Sequence, residues 1–149
     1  MFKGATSLNI DAKGRLAIPA KHRDVLLVQS EGKVVLTAHS HPCLLLYPTP
    51  AWEPIETKLN SLSSFDKRSA ALQRRLVGLA EDLNLDSAGR ILVPPVLREM
   101  AGLQKEVMLV GLGNHFELWS KEAWLKASQE AVNEDGEFEI PAELEGFSL

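Results

Sequence analysis

Two runs of alternating apolar and polar residues open the chain. Leu8 and Ile10 alternate with Asn9 and Asp11, Leu16 and Ile18 flank Ala17, and Asp11-Ala12-Lys13-Gly14 lies between the runs. Period-two alternation predicts half-buried strands, and a linker with Asp first and Gly fourth predicts a turn, so this stretch reads as a hairpin. Asp11 can accept from the turn amides, and Gly14 supplies a backbone conformation that a side chain would strain. Pro19 suits the first position of a helix, where a missing amide hydrogen costs nothing, and a short helix through about Leu26 follows. Val34–Ala38 and Leu44–Tyr47 then read as strands, with a helical start at Pro50–Ile55.

The pattern returns at an offset of 75 residues. Leu8/Leu83, Asn9/Asn84, Asp11/Asp86, Gly14/Gly89, Arg15/Arg90, Pro19/Pro94 and Arg23/Arg98 are identical, and Ile10/Leu85, Leu16/Ile91 and Ile18/Val93 exchange one apolar residue for another. Asp86 and Gly89 inherit the turn positions, a helix runs from Pro94 to about Met100, Val107–Gly111 and Phe116–Trp119 read as strands, and Lys121–Lys126 as a helical start. A unit of roughly forty-five residues is too short to bury a sufficient core alone, so the two copies are expected to pack on each other. The fold class is α+β, dominated by sheet. The repeats are placed at 7–54 and 83–126, with 55–82 as a connecting helix and 127–149 as an acidic extension.

In the connection, Phe65, Leu72, Leu76, Leu79 and Leu83 recur at helical spacing, which predicts a helix over Ser61–Leu83, and Ser63 with Asp66 resembles a capping box at its start. Lys67, Arg68, Arg74 and Arg75 fall off the apolar stripe and read first as a solvated basic face. The tail from Glu130 to Leu149 holds seven acidic residues and no basic ones, which suggests a short helix ending in an acidic extension.

Composition adds little until charge is mapped. The 149 residues, 45% hydrophobic and 24% charged, describe an ordinary globular chain. The single cysteine, Cys43, rules out an internal disulfide framework, and the absence of a signal-like or membrane-length apolar run points to the cytosol. The net charge of −4 is unevenly placed: residues 1–75 hold 11 Lys and Arg against 6 Asp and Glu, whereas residues 76–149 hold 5 against 14. A basic half beside an acidic half points to a polyanion partner for one face.

Asp-x-x-Gly-Arg-x-x-Ile/Val-Pro followed by a short helix resembles the signature of the AbrB family of DNA-binding domains. Two such units in a chain of this length resemble the MraZ family of transcriptional regulators, over roughly residues 1–126. The resemblance implies a swapped-hairpin, double-psi-like β-barrel made by two pseudo-symmetric repeats within one chain. It further implies a ring-forming homo-oligomer, located in the cytoplasm at the nucleoid. Such a ring would bind direct repeats in promoter double-stranded DNA and repress the division and cell-wall gene cluster to which it belongs. Membrane, small-molecule substrate, cofactor, metal and catalytic residues have no place in that reading. Carried onto this chain, the DNA contact falls on Lys13 and Arg15 at the first turn, with Lys3, Lys21 and Arg23 as further candidates and Arg90 as a weaker one. Arg can pair bidentately with guanine O6 and N7, whereas Lys more often meets phosphate. The second turn has Ala88 in place of Lys13 and lies among Glu81, Asp82, Asp86 and Glu99. Repeat one is therefore expected to read DNA, and repeat two to complete the barrel or meet the next subunit.

Other readings compete. Arg15 and Arg90 can instead form structural ion pairs with Asp11 and Asp86. Those two aspartates, related by the repeat, suggest an aspartic-protease dyad, but the small hydroxyl residue and glycine that should follow each acid are missing. His39, His41 and Cys43 alternate like soft metal ligands, but Pro42 interrupts them and no fourth ligand is evident. Gly111-Leu112-Gly113 lacks the third glycine of a nucleotide loop. An oligomeric protein-interaction adaptor without DNA binding remains the alternative from another class.

Overall fold

A computed structural model describes residues 1–148, so the acidic extension expected over 127–149 is described as far as residue 148. In chain order the elements are β1 (Phe2–Asn9), β2 (Arg15–Ala17), α1 (Ala20–Ser30), β3 (Lys33–Ala38), β4 (Cys43–Pro48), α2 (Thr49–Asn60) and α3 (Lys67–Leu76). The second repeat follows with β5 (Glu81–Asn84), β6 (Arg90–Leu92), α4 (Pro95–Met100), β7 (Glu106–Gly113), β8 (Phe116–Ser120) and α5 (Lys121–Ala127), and a single 3-10 turn at Ala142–Leu144 lies in the tail.

The strands form a six-stranded antiparallel sheet in the order β1-β7-β8-β4-β3-β5, with β1 and β5 at its edges, and a separate two-stranded ribbon of β2 and β6. The order reads the same from both ends once repeats are exchanged. The first strand of each repeat pairs with the third strand of the other (β1 with β7, β5 with β3), and the two halves meet where β4 pairs with β8. The expected hairpin of residues 8–18 is therefore corrected. Its strands turn back at Gly14, where Asp11 N donates to Arg15 O, but β2 takes its ladder from β6, with Leu16 opposite Ile91. Sequence alternation fixed which residues turn inward without fixing the partner, because both repeats offer the same pattern.

One face of the sheet and the inner face of the ribbon enclose the main core. Leu16, Ile18, Leu26, Ile91, Val93, Leu97, Leu109, Phe116 and Leu118 are buried there, drawn from both repeats. Neither repeat can complete this core or its own sheet alone. On the outer face, α2 and α3 cover Val35, Leu45 and Tyr47, and α5 sits beside Cys43, Val110 and Trp119.

Other expectations change in detail. Pro19 and Pro94 hold the cap position rather than the first helical turn, with ψ of 141° and 144°. The helix expected over Ser61–Leu83 is one shorter helix and part of a strand: α2 ends before it at Asn60, α3 spans Lys67–Leu76, and Leu83 lies in β5 opposite Val34. The cap is Asp66, which accepts from Ser69 N at 3.0 Å, not Ser63. The stripe misled because three of its residues belong to different elements; Phe65 stands 98% exposed while Leu79 and Leu83 pack against the main core. Among its described residues the tail makes, in place of the short helix expected, a small turn, with Val132 bridged to Phe138 around Asn133, and the 3-10 turn at Ala142–Leu144.

Candidate nucleic-acid interface

The site is built on the β2/β6 ribbon. Arg15 lies opposite Leu92 and Ala17 opposite Arg90. Leu16 and Ile91 point into the core, 0% and 1% exposed, so the alternation of a strand sends Arg15, Ala17, Arg90 and Leu92 together to the outer face. Arg15 and Arg90 are diagonal neighbours, with Cα atoms about 7–8 Å apart. Sequence reasoning assigned them to separate turns with separate roles. Cross-repeat pairing places them on one surface.

Each turn is fixed from two directions. Asp11 accepts from the Lys13 amide and the Arg15 amide through Oδ1, both at 2.9 Å, and from Arg15 Nε through Oδ2 at 2.8 Å. Asp86 repeats this with Ala88 and Arg90, the Arg90 Nε bond measuring 2.9 Å. The opposite repeat supplies the second hold: Ile18 N donates to Gly89 O, and Val93 N to Gly14 O. Gly14 and Gly89 are buried with φ of +85° and +73°, a backbone region in which a β-carbon is strained. The Arg98 guanidinium lies over Gly14, its Cζ 3.1 Å from where a β-carbon would stand, and Arg23 closes on Gly89 still more tightly.

The structural ion pairs are thus present, yet they do not exhaust the arginines. Each uses Nε, which leaves the two terminal nitrogens of Arg15 and of Arg90 for an external acceptor. Both side chains are about one-third exposed, and a pair that open to water adds little to folding. The carboxylate holds the guanidinium in place, the kind of support that readies a contact residue. The Asp11–Asp86 dyad, already set aside on sequence, gains no support, since each carboxylate is bonded within its own turn.

The Arg15 main-chain amide, foremost, holds the Asp11 carboxyl below the ordinary range against the opposing effect of desolvation, with the Arg15 side chain and Lys13 amide adding to the lowering; Arg90 and Ala88 do the same for Asp86. A carboxylate whose pKa falls on folding stabilises the native state above its unfolded value and ceases to do so as pH falls through the folded value. The turns should therefore stay tied across the neutral range and loosen only below about pH 4. Titrating the Arg15 and Arg90 Nε–H signals by NMR checks this; signals lost on going from neutral to mildly acidic pH would contradict it.

The other candidates lie elsewhere. Lys13 is exposed on the first turn. Lys3 shares with Leu112 the sheet face that carries Val110, away from the ribbon. Lys21 stands in the first turn of α1 with Nζ beside Gly4. Arg23 donates through Nη2 to Ile18 O at 2.9 Å, and its Nε is buried without a partner, so its guanidinium is committed to the opposite turn. Arg98 was missed; its identity with Arg23 in the repeat was the available signal.

His39, His41 and Cys43 do not converge. The two imidazoles meet at 4.7 Å in the β3–β4 turn, whereas Cys43 packs with Val110 and Trp119. Among the described residues no group of three or more His, Cys, Asp or Glu side chains is placed to hold a metal ion. Burial, with the Glu117 carboxylate behind it, pushes the Cys43 thiol up to about 12. The native protein should therefore leave a thiol–disulfide reagent unreacted at pH 8 and consume one equivalent once denatured; rapid native labelling would contradict this placement.

Comparison with known proteins agrees over the whole chain. The profile of the MraZ protein family, whose description adds a likeness to antitoxins, matches residues 1–75 and again 76–147. A protein of Methylobacillus flagellatus named transcriptional regulator MraZ is 68% identical over all 149 residues, covering both chains completely. Proteins of the same name from Nitrosospira multiformis and Dechloromonas aromatica are 55% identical over the full length of both chains and 60% identical over 83% of this chain and 84% of theirs.

Proposed function

The chain belongs to the MraZ family, and from that premise we propose that it regulates transcription by laying the outer face of the β2/β6 ribbon into a groove of double-stranded DNA. The observation that carries this reading is the pair Arg15 and Arg90, both tethered through Nε and both on one exposed face. Two-stranded ribbons fit the major groove, and a guanidinium held by its Nε presents the forked pair of terminal donors that matches guanine O6 and N7. Lys13 at the end of the ribbon supplies a phosphate contact.

Arg15 leads and Arg90 assists. Around the first turn stand Lys13, Arg98 and Lys105; around the second, Arg23 is bonded to Ile18 O, Ala88 stands in place of the lysine, and Glu31 weakens the attraction for phosphate. The repeats at 7–54 and 83–126 act as one unit, a swapped-hairpin barrel of the AbrB type in which the ribbon and the sheet wrap a common core. The protein works as a ring of identical subunits in the cytoplasm, at the nucleoid, on direct repeats ahead of its own division and cell-wall genes, which it represses. The relatives' name as regulators supports the transcriptional role, and the family is not enzymatic. No helix among the described residues is long and apolar enough to cross a membrane.

One ribbon makes few contacts, so repeated sites and repeated subunits supply the affinity. About three phosphates per subunit and two engaged subunits give a slope near −5 for log K against log salt, and linking the second event raises avidity by about 10²–10⁴. A mobility-shift titration with duplexes carrying one repeat, two repeats or a scrambled sequence tests this. Retention that favours two repeats and weakens steeply with salt is expected; no retention of any duplex would leave the oligomeric adaptor as the better account.

A further inference from the structure

A cleft of about 510 Å³ opens beside the first turn, and the proposed DNA contact makes no use of it. Ile10 and Leu103 form its buried floor, and Arg98, Gln104, Lys105 and Asp11 stand around it. Its shape comes from two main-chain bonds: Leu103 N donates to Arg98 O, and Ile10 N to Lys105 O, both at 2.8 Å. The first closes the end of α4, and the second clamps the α4–β7 loop of the second repeat against the first repeat's turn. The cleft therefore exists only because the repeats exchange partners.

Its charge is one-sided. Among the described residues that line it Asp11 is the one acid, and it is already bound to the Arg15 side chain and two amides. Arg98 spends Nε on Val93 O at 3.1 Å, which leaves its terminal nitrogens over Gly14, and Lys105 is exposed at the rim. Resting on the reading that the ribbon meets DNA, we propose that this cleft seats a backbone phosphodiester of the bound duplex, with Arg98 as the fixed donor and Lys105 as the mobile one. A guanidinium held by its Nε and a free ammonium side by side are a fitting pair for a phosphate oxygen.

The pseudo-symmetric position provides the contrast. There Leu85 N donates to Gly32 O, so Gly32 takes the place of Lys105 and Glu31 that of Gln104, which removes the cation and adds an anion. The longer helix α1 brings Leu27 Cδ2 within 3.4 Å of where a β-carbon at Gly32 would stand, which narrows the space. Arg23 there holds Ile18 O through Nη2 rather than through Nε. The same repeat thus yields an anion seat at one end of the ribbon only, which gives the duplex a polarity on each subunit.

The test measures salt-dependent binding of a direct-repeat duplex and a scrambled duplex by fluorescence anisotropy, with Lys105→Gln, Arg98→Gln, Arg23→Gln and Arg15→Ala. Lys105→Gln and Arg98→Gln should each weaken both duplexes by a similar factor, roughly five- to tenfold, and flatten the salt slope by about 1 per engaged subunit. Arg23→Gln, which has the equivalent structural place, should leave the slope unchanged. Lys105 meets Ile10 through its main chain, so Lys105→Gln keeps the proposal open to refutation even if Arg98→Gln unfolds. If Arg15→Ala loses binding while Lys105→Gln keeps wild-type slope and affinity, the cleft is not a phosphate seat and the ribbon reading stands. If the unmodified protein binds neither duplex, both fall.

Discussion

Replacing Arg15 with Ala should weaken binding of a two-repeat duplex by roughly 30-fold to 10⁴-fold while leaving the thermal transition and the oligomeric state unchanged. The range follows from losing one bidentate base contact on each of two engaged subunits, each worth about 1–3 kcal/mol of discrimination. Folding is spared because the lost ion pair is open to water and Asp11 keeps its bonds to the Lys13 and Arg15 amides. Arg90→Ala should cost less, about tenfold, because its end of the ribbon carries Ala88 and nearby acids. Parallel anisotropy and calorimetry on the two variants decide the matter. Equal losses would remove the difference between repeats, and an undiminished affinity for Arg15→Ala would remove the interface.

The second large effect concerns the shared core. Phe116 is fully buried in β8 at the junction of the two halves, opposite Leu46 and Gly111, with its ring 4.3 Å from Phe2 and 4.9 Å from His22. Phe116→Ala removes contacts to both repeats at once and should cost about 3–5 kcal/mol, against a total of about 5–15 kcal/mol for a folded domain. For a chain of this size that lowers the melting temperature by roughly 6–20 °C. Phe65→Ala, at a residue 98% exposed, should change it by no more than about 2 °C. Scanning calorimetry showing two separate transitions for Phe116→Ala would mean that the repeats fold as independent units.

Much of this architecture was legible in the repeat itself. The identities at Asp11/Asp86, Gly14/Gly89 and Arg15/Arg90 located both turns and their anchoring bonds, because the chemistry of an Asp-x-x-Gly turn is local. The choice of strand partners was not legible. Two copies of one alternating pattern satisfy a ladder equally well within a repeat or across it, and the shared core decides for the second. The neighbourhoods of the arginines were not legible for the same reason. Arg15 and Arg90 stand together, and Arg23 and Arg98 serve each other's turns, only once the repeats have exchanged strands. In the connection, periodicity was misleading: Phe65, Leu79 and Leu83 keep helical spacing, yet a turn and a strand compete for them, and Asp66 caps the helix in Ser63's stead.

Contact with DNA can be read directly from the centre of the ribbon. Ala17 faces outward between Arg15 and Arg90, and Cys43 is too buried to interfere, so Ala17→Cys accepts a photo-crosslinker at one site, and Leu125→Cys on α5 provides a control on the opposite side of the sheet. Irradiation of each labelled protein with the two-repeat duplex should join DNA to position 17 and not to position 125. Cross-links confined to position 125, or absent from position 17 while the duplex is demonstrably bound, would contradict the account.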